Sequence, residues 1–202
     1  MDPHVVVGDD GATRCWWGAS TPAYAEYHDT EWGFPVDDDR RLFEKLSLEG
    51  FQSGLSWLTI LRKREDFRRV FHDFDHRRVA EMGESDVVRL LQDASIVRHR
   101  RKIESTINNA RKAIELAESY GSLGAFFWSY EPPASSRTLV SESPESRAMA
   151  KELKRRGFTW VGPTTAYAFM QAMGMVNDHL VGCDVYPAVH DARSRFARPV
   201  AV

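Results

Sequence analysis

The stretch LEGFQSGLSW, residues 48–57, places a glutamate, two glycines and a tryptophan directly after an amphipathic segment. Leu42, Leu46 and Glu49 lie at i, i+4 and i+7, so they share one face of a helix that starts after the acidic residues 37–39. Glu49 therefore occupies a position where the pattern calls for an apolar side chain. A carboxylate there is paired, strongly perturbed or available to a ligand. For a glutamate taken alone, local capping or pairing at a helix end is the commoner explanation.

The composition is that of an ordinary globular protein with many large rings. The chain has 202 residues, of which 43% are hydrophobic and 28% charged, enough for one substantial core. Six Trp, six Tyr and eleven Phe indicate stacking surfaces as well as core. No apolar run approaches the roughly 20 residues of a membrane span, and residues 1–4 lack the pattern of a signal peptide. We expect a cytoplasmic protein with no membrane partner.

Charge gives little global indication of a partner. The formal net charge is −2, which does not point to nucleic acid. Basic residues cluster at 62–64, 98–102 and 154–156. Such clusters are most often solvated helix faces, and by themselves they favour DNA only weakly.

No sustained alternation of polar and apolar residues occurs, so we predict an all-α fold. Residues 1–13 and 188–202 are unpatterned and predict flexible tails around a single domain, residues 14–187. Residues 131–144 predict a long, mobile loop. Asp75 and Ser85 are expected to cap two short helices, and 177–186 is expected to hold a last helical turn or two. Periodicity and capping residues predict the other helices at about 22–28, 40–49, 57–70, 97–121, 123–130, 145–156 and 163–173.

Two cysteines and two histidines form a set typical of a metal site. Cys15 and His28 lie near the start of the chain, whereas His179 and Cys183 lie near its end at i and i+4. Zinc favours tetrahedral thiolate and imidazole ligands, and four protein ligands make a closed, structural site. A disulfide is disfavoured in a reducing compartment but remains open, as do two buried bystander cysteines. A zinc ion here would join the two ends of the chain.

Residues 157–162 predict a glycine-bounded hairpin between two helices. The segment runs from Gly157 to Gly162, follows the basic residues 154–156 and precedes Pro163 and Thr164. Backbone N–H groups at the start of the next helix can bind a DNA phosphate. An ordinary helix–helix corner is the commoner explanation of such a segment taken alone.

Four motifs resemble the DNA-3-methyladenine glycosylase I family, the constitutive bacterial branch of the helix-hairpin-helix glycosylases. They are Arg14–Trp17, Tyr27–Gly33, Leu48–Trp57 and Val176–Cys183, and the resemblance extends from about residue 14 to 187. It implies a helix-hairpin-helix fold, a monomer, and base excision repair of alkylated double-stranded DNA in the cytoplasm, at the nucleoid. The implied reaction is hydrolysis of the N-glycosidic bond of 3-methyladenine, which leaves an abasic site without strand cleavage.

The resemblance also implies roles for individual residues. Glu49 would hydrogen-bond the methylated base, and Asn177 would lie where relatives that cleave harder bonds carry a catalytic aspartate. Asn177 or Asp178 would then position water or the sugar. The implied base-binding rings are Trp17, Tyr27, Trp32 and Trp57; the implied DNA contacts are Gln52, Gly54, the wedge Leu55, Gly162 and Thr164; and the implied ligands of one structural Zn²⁺ are Cys15, His28, His179 and Cys183.

The implied chemistry fits these residue types. An enzyme that acts on a base extrudes it from the stack and holds it between flat side chains. Methylation at N3 gives adenine a positive charge, so aromatic faces gain a cation–π contribution of about 0.5–2 kcal/mol and a carboxylate gains a charge-assisted hydrogen bond. The same charge makes the base a good leaving group, so little acid catalysis is needed.

The sequence departs from the family pattern at one position, and two other functions are alternatives to the glycosylase. Phe51 replaces a residue that is more usually polar in the family, and its position near the wedge could alter DNA affinity. One rival is a module that binds damaged DNA without catalysis. The other is a zinc hydrolase of small molecules, which would need an open coordination position that four protein ligands do not leave.

Overall fold

Helix α2 is the central element of the fold. The structure is a computed structural model that describes residues 4–133 and 140–202. Asp38 caps α2 by accepting a hydrogen bond from the Arg41 backbone N–H at 2.9 Å. It is one of the acidic residues that the sequence predicts at the start of this helix. All ten residues from Leu42 to Phe51 are buried, because α2 packs against α3, α7, α8 and α10. In chain order the strands and helices are β1 Val5–Val7, β2 Thr13–Cys15, α1 Pro22–Thr30, α2 Asp39–Gln52, α3 Trp57–Arg62, α4 Arg64–Val70, a 3-10 turn His72–Phe74, α5 His76–Ala80, α6 Glu84–Gln92, α7 Arg100–Tyr120, α8 Leu123–Trp128, α9 Pro144–Arg155, α10 Pro163–Ala172 and α11 Tyr186–Arg195.

The fold predicted as all-α is mostly helical in the structure, with one short two-stranded sheet of β1 and β2 and with local corrections. Asp75 caps α5, as predicted, by accepting hydrogen bonds from two backbone N–H groups. The prediction that Ser85 caps a helix is wrong, since Gly83 occupies the cap position of α6. The Gly83 N–H donates to the Asp86 carboxylate at 3.1 Å. The predicted helix 57–70 is two helices that meet at Lys63. The Lys63 ammonium donates to the Ser95 carbonyl at 2.8 Å, a distant contact that local periodicity cannot reveal.

The hairpin between α9 and α10 has the backbone that its glycines predict. Gly157 ends the preceding turn at φ +89°, a conformation that glycine adopts without a steric penalty. Gly162 caps α10 in an extended conformation, and Pro163 occupies the first helical position. Trp160 at φ +58° is the unusual residue of this segment, and it is partly exposed. The hairpin therefore presents its backbone and one ring at the surface.

Both segments predicted as flexible tails contain regular secondary structure, which corrects that prediction. Val5–Val7 pairs antiparallel with Thr13–Cys15, in a register that sets Val5 opposite Cys15. At the other end α11 covers residues 186–195, and Phe196 then packs on Trp128 with ring centroids 4.5 Å apart. These contacts join distant parts of the chain, and neither end carries a strong local period. Of the predicted loop 131–144, residues 134–139 lie outside the described residues, and α9 already begins at Pro144.

Two further expectations change with the structure. The segment 177–186 is turn and irregular chain up to the start of α11, not the predicted helical turns. Phe51 is buried in the core, where its ring lies 4.6 Å from Phe67 and 5.9 Å from Phe71. A polar side chain at that position would be desolvated, which accounts for an apolar residue here. Among the described residues, no helix has the length and apolar character needed to cross a membrane.

Candidate functional site

The four predicted metal ligands come together in the structure. Cys15, His28, His179 and Cys183 are all buried, and their ligand atoms lie within 4.8 Å of one another. His28 Nε2 lies 3.2 Å from His179 Nδ1, and Cys183 Sγ lies 3.6 Å and 3.7 Å from these two nitrogens. Cys15 Sγ lies 3.9 Å from His179 Nδ1. A tetrahedral zinc ion would separate such atoms by about 3.3–3.8 Å, so the four residues could hold a metal ion of this kind.

Elements from both ends of the chain build this cluster. Cys15 ends β2 and His28 lies in α1, whereas His179 and Cys183 lie on the irregular segment after α10. The Leu180 backbone N–H donates to Cys15 Sγ at 3.3 Å, and the Thr13 N–H donates to the Asp184 carboxylate at 2.7 Å. The two ends are thus joined by hydrogen bonds as well as by the four side chains.

Hydrogen bonds outside the cluster orient both imidazoles. His28 Nδ1 lies 2.8 Å from the Asp29 carboxylate, which in turn accepts a bidentate pair from Arg14. His179 Nε2 lies 2.9 Å from the Trp32 carbonyl. Each ring can donate its outer N–H and keep the other nitrogen for the centre of the cluster, the arrangement that metal-binding histidines usually show. Hydrogen bonds from Cys15 and from the two histidines lower the pKa of Cys183, so this cysteine favours the thiolate form that binds metals.

An aromatic cavity of about 380 Å³ opens beside the cluster. Trp17 is the centre of its wall, with ring centroids 5.0 Å from Trp32, 5.6 Å from Tyr24 and 6.3 Å from Tyr27. Trp17 also meets the His28 ring edge-on at 5.1 Å, so the metal-like cluster supports the wall of the cavity. The lining residues are Cys15, Trp16, Trp17, Tyr24, Tyr27, Trp32, Lys45, Glu49, Gln52, Trp57, Ala168, Gln171, Asp178 and Leu180.

Glu49 and Lys45 form a buried ion pair at this cavity. Each residue is 6% exposed, and Lys45 Nζ lies 2.7 Å from Glu49 Oε1. The ammonium also donates to the Tyr27 hydroxyl at 2.9 Å and lies 3.3 Å from the centroid of the Trp57 ring. The sequence predicts a paired or ligand-directed Glu49, and the structure gives it a partner on its own helix.

Trp57 closes the cavity at the start of α3. Its ring lies 5.4 Å from the Tyr27 ring, and Tyr24 fixes the start of α3 by accepting a hydrogen bond from the Leu58 N–H at 2.9 Å. The Trp57 indole N–H is buried without an acceptor among the described residues. Trp17, Tyr27, Trp32 and Trp57, the four predicted base-binding rings, therefore surround one cavity with Glu49.

Asn177 and Asp178 have different surroundings. Asn177 donates to the Tyr186 carbonyl at 3.1 Å and is absent from the lining of the cavity. Asp178 lines the cavity, and its Oδ2 accepts hydrogen bonds from Tyr167 and Gln171, both at 2.8 Å. The geometry thus brings Asp178, rather than Asn177, to the aromatic cavity.

Three of the five predicted DNA contacts line one or other of two neighbouring concave surfaces. Gln52 lines the aromatic cavity, whereas Gly162 and Thr164 line a second groove of about 690 Å³. Leu55, 42% exposed, follows Gly54 at φ +80° on the loop between α2 and α3. The second groove is lined by Ser53, Arg147, Ala150, Lys151, Lys154, Trp160, Val161, Gly162, Pro163, Thr164 and Thr165.

Sequence reasoning assigned no site role to six residues that line the cavity: Trp16, Tyr24, Lys45, Ala168, Gln171 and Leu180. Lys45 had a detectable signal, because it precedes Glu49 by four residues and opposite charges at i and i+4 lie side by side on a helix. Trp16 and Tyr24 belong to segments whose neighbours were singled out, but nothing in their spacing marks them as lining residues. Their place follows from the way α1 and the end of β2 meet in the fold.

Comparison with known proteins gives one consistent result. The family model described as methyladenine glycosylase matches residues 16–186. The chain is 49% identical over 181 residues to DNA-3-methyladenine glycosylase 1 of Escherichia coli (strain K12), which covers 86% of this chain and 97% of that protein. It is 41% identical over 181 residues to DNA-3-methyladenine glycosylase of Haemophilus influenzae (strain ATCC 51907 / DSM 11121 / KW20 / Rd), with 85% and 96% covered.

Solved structures agree with the sequence relatives. A crystal structure of 3-methyladenine DNA glycosylase I is 47% identical, with a TM-score of 0.81, and the match covers 85% of this chain and 98% of that one. A Staphylococcus aureus structure concerned with 3-methyladenine recognition is 37% identical, also with a TM-score of 0.81, and covers 84% and 94%. A match over this length in sequence and fold, together with the cavity and the Cys/His cluster, confirms the family that the four motifs predict: the chain belongs to the methyladenine glycosylase family.

Proposed function

We propose that this protein is a monofunctional DNA glycosylase that removes 3-methyladenine from alkylated double-stranded DNA. The observation that carries the proposal is the aromatic cavity with the Glu49 carboxylate in its wall. A cavity lined by rings with one buried carboxylate suits a flat purine that is held by stacking and by hydrogen bonds along its edge. Both sequence relatives, from Escherichia coli and Haemophilus influenzae, are named for this lesion.

The reaction would proceed by departure of the base as a neutral molecule. Methylation at N3 leaves the base in DNA with a positive charge. When the bond from the sugar C1′ to N9 breaks, its electron pair stays with the base, which becomes neutral, and positive charge develops on the sugar. Water then adds to C1′ and loses a proton, which leaves an abasic site.

The cavity residues would divide the work between recognition and positioning. Trp57 and Tyr27 would stack on the flipped base, and Trp17 and Trp32 would shape the pocket around it. Glu49 would accept hydrogen bonds from the edge of the base. Asp178, held by Tyr167 and Gln171, is better placed than Asn177 to orient water at the sugar, because it lines the cavity.

The Cys/His cluster would bind one zinc ion with a structural role. Zinc prefers a tetrahedral set of ligands such as two thiolates and two imidazoles. Four protein ligands leave no coordination position for substrate. The ion would fix the wall of the pocket through His28 and Trp17, whose rings are in contact. Residues 14–187 would form the glycosylase domain.

The DNA would lie across the two neighbouring surfaces. Lys151 and Lys154 beside the hairpin 157–162 provide positive charge, and the α10 N-terminus at Gly162 and Thr164 presents backbone N–H groups for a phosphate. Leu55 would fill the space that the flipped base leaves, and Gln52 would contact DNA near the mouth of the cavity. We expect a monomer in the bacterial cytoplasm, associated with the nucleoid when bound to DNA.

Release of free base from methylated duplex DNA tests the proposal. We expect the wild-type protein to release 3-methyladenine, measured by chromatography, and Glu49→Gln to release it much more slowly with the fold intact. Glu44→Gln is the matched control, because Glu44 is also buried in α2 but pairs with Arg68 outside the cavity. DNA binding without base release by the wild type would instead favour the alternative, a non-catalytic module that binds damaged DNA.

A further inference from the structure

Lys45 is a charged residue of the cavity that the proposed reaction does not use. Of the residues that line the cavity in the described parts of the chain, it is the one with a positively charged side chain; Glu49 and Asp178 carry the negative charges. A buried lysine in a pocket for a cationic base needs an explanation, because like charges repel strongly away from water.

The Lys45 ammonium already interacts with the two groups of the cavity that would attract a cationic base. It lies 2.7 Å from the Glu49 carboxylate and 3.3 Å from the centroid of Trp57. A carboxylate and a tryptophan face are the two attractions expected to favour a positively charged base. In this protein both already have a cationic partner that belongs to the chain.

The surrounding groups keep this pair intact. Burial lowers the pKa of Lys45, while the charge and hydrogen bond of Glu49 raise it. Burial raises the pKa of Tyr27, so its hydroxyl stays protonated and accepts from Lys45 through oxygen. Glu31 and Arg64 also face Lys45, but they pair with each other through two hydrogen bonds of 2.7 Å and 2.8 Å. The counter-ion of Glu49 is therefore Lys45.

We propose that Lys45 is a specificity-determining residue that cancels the charge of Glu49, so that the cavity recognises the edge of the base without preferring its cationic form. The inference rests on the proposed function of the cavity. An unpaired carboxylate would stabilise the cationic base in DNA more than the neutral base that leaves, and so would oppose the bond-breaking step. With Lys45 beside it, Glu49 can still accept hydrogen bonds while the preference for the charged ground state is removed.

Two probes that differ in charge test this directly. One is 3-methyladenine at mildly alkaline pH, where it is neutral; the other is 3,9-dimethyladeninium, which carries the positive charge that the base has in DNA. Their dissociation constants are measured by tryptophan fluorescence for the wild type, Lys45→Met, Lys45→Gln and Lys45→Arg. The Gln variant retains a hydrogen-bond donor toward Glu49 without the charge, and the Arg variant retains the charge. Circular dichroism melting curves establish that each variant is folded.

We expect the affinity for the cation relative to the neutral base to rise by roughly tenfold or more in Lys45→Met and Lys45→Gln, and to stay near the wild-type value in Lys45→Arg. In DNA glycosylase assays, Lys45→Gln should lower KM and kcat together, the signature of a more stable ground state. A ratio that is unchanged in a folded neutral variant would overturn the role of Lys45 while leaving the base pocket in place. If the wild type binds neither probe, the proposed function fails, and this inference fails with it.

Discussion

Asp178 shows how one residue's hydrogen bonds can define its role. Two donors, the Tyr167 hydroxyl and the Gln171 amide, converge on a single carboxylate oxygen, which fixes the side chain at the cavity wall. Desolvation, and after it the charge of Asp178, raises the pKa of Tyr167 well above its ordinary value, so the hydroxyl stays protonated and acts as a donor. A carboxylate held in this way can orient water or stabilise positive charge that develops on a sugar.

We therefore expect Asp178→Asn to lower kcat for base release by about 10²–10³-fold with little change in KM, because the loss falls on the charged transition state. Single-turnover release of 3-methyladenine from methylated duplex DNA measures this. Asn177→Ala is the control, since Asn177 bonds the Tyr186 carbonyl and does not line the cavity. The assignment would be reversed if Asn177→Ala lost the rate and Asp178→Asn kept it.

At the scale of elements, the C-terminal segment after α11 stabilises the helical body. The Phe196 ring packs on Trp128, and Arg198 pairs with Glu131 at 2.9 Å. Trp128 is itself fixed by a hydrogen bond from its indole N–H to the Val36 carbonyl at 2.8 Å. These contacts bind the end of the chain to α8 and to the segment before α2, at residues that do not line the cavity.

The contact predicts a loss of stability without a loss of activity. Phe196→Ala should lower the free energy of unfolding by about 1–3 kcal/mol, because it removes a half-buried ring and its aromatic partner. Urea denaturation followed by tryptophan fluorescence measures the change. Val200→Ala, at a side chain that is 81% exposed, should change the stability by less than about 0.5 kcal/mol. Equal stability of the two variants would show that the segment contributes nothing to the folded state.

At the scale of the whole molecule, the Cys/His cluster connects elements that the chain separates by more than 150 residues. Cys15 and His28 come from β2 and α1, and His179 and Cys183 follow α10. A ligand that binds only the folded state stabilises it by mass action, and a metal held by four distant side chains has no comparable site in the unfolded chain.

Removal of metal is expected to lower the melting temperature by at least about 6 °C, which corresponds to roughly 2–3 kcal/mol for a chain of this size. Metal content by mass spectrometry and melting by calorimetry, before and after a strong chelator, provide the measurement. Cys183→Ser should be metal-poor from the start, so the chelator should have no further effect on it. A stoichiometric metal whose removal leaves melting unchanged would contradict the structural role.

Most of the helical segments and the family could be predicted from the sequence. Caps and periods are local, so Asp38 at α2, Asp75 at α5, Gly121 after α7 and the glycines of the hairpin could be placed from neighbouring residues alone. The Cys and His residue types made a metal site one of the open interpretations, and the four motifs carried the family. The roles assigned to individual site residues remain predictions.

Tertiary structure alone decided how these parts meet. His179 and Cys183 lie on an irregular segment instead of the predicted helical turns, and the fold brings them next to Cys15 and His28. Both segments predicted as tails contact other parts of the protein. The fold also directs Lys45 into the cavity and Asn177 away from its lining. The physical reason is that capping and helical periodicity depend on residues a few positions apart. Closure of long chain segments, and the burial of a charge against a distant ring, depend on the packing of the whole core.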